Sequence, residues 1–217
     1  MGGSSSSTDW RGTNEEMASM MMPLYYIKEC AAVEEDIRMG SETWQKITDG
    51  TCKGYLEYKA SVTGECDPPL LWFTNVFYTR LFDVNPAAKS LFGNDVKSQT
   101  KVLAAIINTA LNQLRDPSTY EKTLENLAHV HVKRGVKGVQ FGIAGDVLLW
   151  SFLQALKDEF HEDSRIVWTK LYSFMLKTLL PVAIGDERDL FRNMKAHEKK
   201  KKPEPVKAST YKMHNTA

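Results

Sequence analysis

Apolar residues recur at spacings of three and four along most of the chain, the pattern of helices that bury one face. No stretch alternates apolar and polar residues over the length of a strand, and no internal repeat is present. The pattern therefore predicts an all-α domain over about residues 23–184. It predicts helices over about 23–47, 70–82, 94–114, 118–134, 138–157 and 164–182, with a short helix beginning at Asn85-Pro86.

Three other segments lack this periodicity. Residues 1–22 are rich in Gly and Ser and then in Met, which predicts a disordered N-terminal extension. Residues 49–69 contain three glycines, two prolines and two cysteines, which predicts a long inserted loop. From residue 185 to residue 217 the chain is strongly charged, which predicts a basic disordered tail.

The helix over about 118–134 has recognisable end signals. Ser118 with Glu121 three residues later forms a capping box behind Asp116-Pro117. Gly135, which follows two basic residues, is typical of a helix end. These signals and the apolar spacing agree on one helix.

His131 lies on the apolar face of that helix, because Leu124, Leu127 and His131 follow the i, i+3, i+7 spacing. His129 is two positions earlier and is expected to face solvent, so the two imidazoles do not form a pair. A zinc site using both would need a strand to bring them to one side, which disfavours it. A buried imidazole needs a partner for each nitrogen. The partner can be a backbone carbonyl in an ordinary core or a metal ion, and the spacing alone leaves both readings open.

Composition narrows the class of protein. The chain has 217 residues, 42% of them hydrophobic, enough for one domain with extensions. With 28 basic and 27 acidic residues the net charge is +1, so no overall field attracts nucleic acid. No apolar run approaches the roughly 18 residues of a membrane span, and no hydrophobic signal segment is evident. These features predict a cytoplasmic protein.

The three cysteines are too few and too irregular for a disulfide framework. Cys52 and Cys66 could close the predicted loop as a redox-sensitive bridge. Free thiols are favoured, because disulfides are rare inside cells.

The N-terminus matches a lipidation pattern. Met1-Gly2 followed by Ser6 fits M-G-x-x-x-[ST], which indicates N-myristoylation at Gly2. A flexible tail explains the same residues. One acyl chain holds a protein to a membrane only weakly, and the basic run Lys199–Lys202 could supply the second signal. Peripheral membrane association is the resulting hypothesis.

Several motifs together resemble a known family. They are the run FYTRLFDVNPAAKSLF (77–92), the spacing Leu127-His131-Gly135-Val136 followed by Phe141, and Trp168 with Tyr172 in the last helix. On these residues the chain resembles a globin over about 27–183. The resemblance implies a globin fold of six to eight helices around a haem pocket.

The resemblance also implies a cofactor and a site. The cofactor is haem b (iron protoporphyrin IX), with His131 as the proximal ligand of its iron, as in other oxygen-binding haem proteins. Gln99 and Tyr78 correspond to distal ligand-binding positions, and Leu103 lies one turn beyond Gln99. The matching pocket-wall positions are Phe92, Leu127, Val136 and Phe141.

The distal pair indicates what the pocket binds. Tyr78 and Gln99 place polar groups on core-facing stripes, where an unpaired group costs roughly 1–3 kcal/mol. Bound dioxygen carries partial negative charge, which a phenol O–H and an amide N–H both stabilise. Two such hydrogen bonds would slow oxygen release about a hundredfold. The competing reading is that these two groups bond only each other or the backbone. In some globins a distal histidine binds the iron as a second protein ligand. Glutamine is a poor iron ligand, so Gln99 is not expected to do so, although Tyr78 or a lysine could ligate ferric iron.

Three functions are compatible with these residues. The first is tight, reversible binding of dioxygen or another diatomic gas, suited to storage or sensing. The second is a haem enzyme, a nitric oxide dioxygenase or a nitrite-reductase-like protein. Because the sequence shows no flavin or nicotinamide motif, that enzyme would need a separate reductase. The third is a membrane-associated haem sensor. The sequence leaves the oligomeric state open.

Overall fold

The structure is a computed structural model that describes residues 13–21, 33–92, 96–114 and 116–200. Within these ranges some helical side chains are not described, among them 96–100 and most of 190–200. The all-α prediction is confirmed, because the described residues form eight α-helices and two 3₁₀ helices and contain no strand. The α-helices are α1 (Asn14–Met21), α2 (Glu34–Thr48), α3 (Lys53–Ser61), α4 (Pro69–Val84), α5 (Val96–Gln113), α6 (Pro117–Lys133), α7 (Gly138–Leu156) and α8 (Glu162–Lys200).

Helix α6 has the predicted extent, but its cap differs from the prediction. Asp116, not Ser118, is the N-cap residue, and its carboxylate accepts a hydrogen bond from the backbone N–H of Thr119 at 3.4 Å. Pro117 then occupies the first helical position, where its missing N–H is not needed. The helix ends as predicted at Gly135, whose φ of +88° lies in the left-handed region that favours glycine.

The predicted loop over 49–69 is wrong for its central part, which forms α3. The side chains of Tyr55 and Tyr58 pack on Trp72 of α4, with ring centroids 5.5 and 5.9 Å apart. Gly54 lies so close to α7 that an added Cβ would be 2.2 Å from the carbonyl oxygen of Gln154. Tertiary packing of this kind selects a helix where local composition suggests a loop. Cys52 and Cys66 are both free thiols, as favoured.

The predicted tails are partly helical. Helix α8 continues to Lys200, so residues 185–200 are not disordered as predicted, and α1 lies within the segment 1–22 that was also predicted disordered. The reason is apolar packing that continues past Pro181, because Ala183 and Ile184 are buried with Ala18 of α1 in one cluster. Gly2 and residues 201–217, which include half of the predicted lysine signal, lie outside the described residues.

The core contains two main clusters. A larger cluster rich in aromatic side chains lies where α2, α3, α4, α5, α7 and α8 meet, and includes Trp44, Phe73 and Phe152. A smaller, mainly aliphatic cluster joins α1, α6, α7 and α8, and includes Ala128, Leu180 and Ala183. Helices α7 and α8 contribute to both clusters and therefore connect the two parts of the core.

One described segment could cross a bilayer by length and composition alone, although the sequence predicted none. Gly138–Glu159 has 22 residues and a mean hydropathy of 1.4. Half of its most apolar window is buried, and α7 packs against α3, α4 and α8. A central core helix has the same properties, so the segment is weak support for a membrane span.

Candidate functional site

His131 has one ring nitrogen fixed by its own helix. Its Nδ1–H donates a hydrogen bond to the carbonyl oxygen of Leu127 at 2.8 Å, and because a carbonyl can only accept, Nδ1 must carry the proton. In the neutral ring the lone pair is then on Nε2, the nitrogen free to bind a metal. His131 was expected to be either a core histidine bonded to a backbone carbonyl or a metal ligand, and the two roles are compatible because they use different nitrogens. Nδ1 has the backbone partner of a core histidine, and Nε2 retains the chemistry of a ligand.

The surroundings of His131 keep the ring neutral. Burial lowers the pKa of His131, the nearby Arg134 guanidinium lowers it further, and the hydrogen bond to Leu127 opposes the shift. The ring of Phe141 lies beside it, with centroids 5.5 Å apart. A neutral imidazole is the form that binds iron, so the site suits coordination at neutral pH.

The predicted pocket-wall residues near His131 come together. Leu127 and Val136 are half-buried and pack against the aliphatic cluster that contains Phe141. These three residues come from α6, the corner after α6 and the first turn of α7. The structure therefore places Leu127, Val136 and Phe141 at one cluster, and of these three the Phe141 ring lies beside the His131 imidazole.

Tyr78 is buried in the larger, aromatic cluster. Its ring packs edge-on against Phe92 with centroids 5.2 Å apart, and against Phe77 at 5.1 Å. Burial raises the pKa of Tyr78 to about 12. The phenol consequently keeps its proton at neutral pH and can act as a hydrogen-bond donor.

The remaining distal residues lie on α5 and before it. Leu103 and Phe92 are half-buried and pack against the cluster that contains Tyr78. Gln99 lies on α5 one turn before Leu103, but its side chain is outside the described part of the structure. The structure thus groups Tyr78, Phe92 and Leu103, and does not test where the Gln99 amide lies.

A largely apolar cavity of about 460 Å³ lies between α5 and α6, the helices that carry Gln99 and His131. Ligand pockets are commonly about 300–1,000 Å³ and mainly apolar. Leu127 is the one predicted pocket-wall residue that lines it. Sequence reasoning missed the rim residues Val102 and Val130, which are exposed although apolar. The full lining is Lys101, Val102, Ala105, Ile106, Thr109, Ala110, Tyr120, Thr123, Leu124, Asn126, Leu127, Val130 and Met175.

His129 faces away from this site, as predicted. Its Nδ1 forms a contact of 2.6 Å with a carboxylate oxygen of Asp186 on α8. Within the part of the chain that the structure describes, no group of three or more His, Cys, Asp or Glu side chains could hold a metal ion. His129 and His131 therefore have different partners, the Asp186 carboxylate and the Leu127 carbonyl oxygen.

Comparison with known sequences identifies related proteins. The family model for Globin matches residues 75–179. A flavohemoprotein of Bordetella pertussis is 31% identical over 121 residues, which cover 54% of this chain and 29% of that protein. An anaerobic nitrite reductase of Oryza sativa subsp. indica is 29% identical over 102 residues, covering 44% of this chain and 70% of the relative. Neuroglobin of Danio rerio is 28% identical over 119 residues, covering 48% and 74%. The chain thus spans less than a third of the flavohemoprotein.

Comparison with solved structures supports the same fold. An engineered carbene transferase named after a nitric oxide dioxygenase of Rhodothermus marinus superposes with a TM-score of 0.55. The superposition covers 74% of this chain and 99% of the other, at 15% sequence identity. At that identity the likeness shows the fold alone.

Proposed function

The chain belongs to the globin family, and we propose that it uses haem to bind dioxygen reversibly and with high affinity. The observation that carries the proposal is the hydrogen bond from His131 Nδ1 to the Leu127 carbonyl, which leaves Nε2 as a neutral donor atom on a half-buried ring. We assign His131 as the proximal ligand and Tyr78 with Gln99 as the distal donors.

The residues present fit a haem. Its flat apolar body requires apolar walls, and the cavity between α5 and α6 has such walls, with Leu127 in its lining. His131 and Tyr78 do not line that cavity, so the fit rests on the chemistry of the His131 ring and on the apolar residues packed near it. Leu127, Val136 and Phe141 would hold the proximal side, and Phe92 and Leu103 the distal side. The C-x-x-C-H motif of covalent haem attachment does not occur, so haem b is the form proposed. The bound haem supplies an iron that binds a diatomic gas.

The distal side chains set the affinity. Because its pKa is raised to about 12, Tyr78 donates a hydrogen bond and carries no negative charge that would repel the gas. Hydrogen bonds to a charged partner contribute about 1.5–3 kcal/mol each. A donor of that strength slows release about tenfold or more. Slow release suits storage, scavenging or sensing better than delivery.

The test is His131→Ala, with His161→Ala as the matched control because His161 is an exposed histidine before α8. We expect His131→Ala to purify without tightly bound haem and the control to keep a full complement. The measurement is haem stoichiometry, with absorption spectra of the ferric, ferrous and carbon monoxide forms. Retention of haem with an unchanged spectrum in His131→Ala would refute the assignment.

A second candidate function is nitric oxide dioxygenase activity, and the likeness to a flavohemoprotein favours it. That reaction consumes electrons, so the haem would have to be re-reduced by a reductase after each turnover. The test is nitric oxide consumption by the oxygenated protein with a flavin reductase and NADH. Sustained turnover supports the enzyme, whereas a single stoichiometric reaction supports oxygen binding alone.

A further inference from the structure

Three consecutive charged residues of α8 each contact a different element. Asp186 contacts His129 of α6 at 2.6 Å, and Glu187 accepts a hydrogen bond from the backbone N–H of Gly138. Arg188 donates to the side-chain oxygen of Asn14 on α1 at 2.9 Å. One short segment therefore joins α8 to α6, α7 and α1, as the three contacts Asp186–His129, Glu187–Gly138 and Arg188–Asn14.

Two of these contacts lie on either side of the proposed iron ligand. His129 is two residues before His131, and Gly138 is the first residue of α7 after the intervening corner. The Glu187 carboxylate lies at the N-terminus of α7, where the helix dipole favours negative charge. Asp186 and Glu187 thus contact the last turns of α6 and the first residue of α7, on either side of the α6–α7 corner (residues 134–137).

Apolar packing also joins α6 to α8 next to these polar contacts. Val132, the neighbour of His131, is buried in one cluster with Ala183 and Ile184 of α8. Ala18 of α1 also belongs to this cluster. The polar contacts therefore lie at the edge of a buried contact between α6 and α8.

The α8 residues of these contacts lie beyond the region that the family comparison matches, whereas His129 and Gly138 lie inside it. The match ends at residue 179, and the charged residues are 186–188. The segment is consequently a feature of this chain in addition to its matched globin region.

We propose that Asp186 and Glu187 are positioning residues that hold α6 and the α6–α7 corner in place and thereby fix His131 for iron coordination. The inference rests on the proposed role of His131. The Asp186 and His129 side chains are 29% and 47% exposed, so their pair adds little to the stability of the whole fold. The proposed effect is local, on opening of α6 near His131 rather than on global unfolding.

The test compares variants of the full-length haem-loaded protein. The variants are Asp186→Ala, His129→Ala, their double variant, Glu187→Ala and Glu187→Gln. The matched control is Glu162→Gln, which removes an exposed ion pair with Arg165 at the other end of α8. The measurements are haem loss to an excess of a haem-accepting apoprotein and the iron–histidine stretching frequency of the ferrous protein by resonance Raman.

We expect each Ala variant to lose haem about fivefold faster, which corresponds to about 1 kcal/mol, and to shift the iron–histidine frequency. The double variant should lose haem no faster than either single variant, because both changes remove one interaction. Glu187→Gln should be close to wild type, since its amide oxygen still accepts from Gly138. The control should match wild type.

Unchanged haem loss and frequency in Asp186→Ala and Glu187→Ala would overturn the inference. A lower unfolding midpoint with an unchanged frequency would also overturn it, because a purely structural role predicts that result. If His131→Ala keeps its haem, the proposed function itself fails. If His131→Ala loses haem while the Asp186 and Glu187 variants behave as wild type, only the positioning role fails.

Discussion

The two sides of the proposed haem pocket differ in the type of side chain that forms them. The distal side belongs to a cluster of aromatic rings, in which Tyr78 contacts Phe77 and Phe92 edge-on. The proximal side belongs to a cluster of alanine, leucine and valine side chains, in which Phe141 is the one aromatic member among the described residues. Edge-on ring contacts fix orientation. Small side chains instead let helices approach closely, as Ala128 and Ala183 do between α6 and α8.

The difference indicates a division of tasks. The aromatic cluster joins six α-helices and packs around the Tyr78 ring, so it should dominate the free energy of unfolding. The aliphatic cluster mainly joins α6 to α8 and should govern how firmly His131 is held. Substitutions in the two clusters should therefore separate stability from haem retention.

The largest expected effect is that of Phe152→Ala in the aromatic cluster. Phe152 is fully buried and stacks on Trp168 with centroids 4.0 Å apart, besides contacting Phe73 at 5.5 Å. We expect a loss of about 3–5 kcal/mol in unfolding free energy, because the cavity cannot collapse among rigid rings. Urea unfolding followed by circular dichroism measures it. Phe160→Ala, at the half-buried edge of the same stack, serves as control and should lose clearly less.

Leu180→Ala in the aliphatic cluster should come next, at about 2–3 kcal/mol. Leu180 is fully buried, but flexible aliphatic neighbours can close part of the space it leaves. Haem loss should accelerate more than in Phe152→Ala, because α8 supports α6 at this position. Lys177→Ala, an exposed change on the same helix, is the control. Equal haem loss in the two core variants would contradict the division of tasks.

The helices that bury one wide face could be predicted from the sequence, as α4, α6 and α7 show. Helix α3 could not, because its support comes from Trp72, distant in sequence, and from the approach of Gly54 to α7. The end of α8 was missed for a related reason. Pro181 and Gly185 are stop signals, and the helix continues past them where it contacts α1, α6 and α7.

For the site, the face of His131 followed from spacing alone, and its role followed from the family resemblance. The Leu127 carbonyl bond could not be predicted, since any residue in that position supplies the same oxygen. The contacts of Asp186 and Glu187 were equally inaccessible. In the sequence these two acidic residues belong to the charged segment that was predicted to be a disordered tail. No residue near position 186 indicates that His129 is the partner of Asp186.

A smaller effect, on ligand release, is expected from Tyr78→Phe. Removing the phenol O–H while keeping the ring should speed oxygen release about tenfold, which is about 1.4 kcal/mol. The aromatic packing remains, so the unfolding free energy should change much less than in Phe152→Ala. Stopped-flow displacement of oxygen by carbon monoxide measures the rate. Tyr58→Phe, on α3 outside the pocket, is the matched control, and an unchanged rate in Tyr78→Phe would remove the distal-donor argument.

The smallest effect should come from the N-cap of the proximal helix. Hydrogen bonds from Thr119 and Ser118 lower the pKa of the exposed Asp116 carboxylate. A carboxylate with a lowered pKa stabilises the fold above its unfolded pKa of about 3.9, and that contribution is lost as the pH falls through the folded value.

Asp116→Ala should therefore flatten this part of the stability–pH curve and speed hydrogen exchange at the start of α6. Asp116→Asn keeps an accepting oxygen without the charge, so it should keep the cap but lose the acid dependence. If both variants lose the cap equally, the charge rather than the hydrogen bond holds this end of the helix that carries His131.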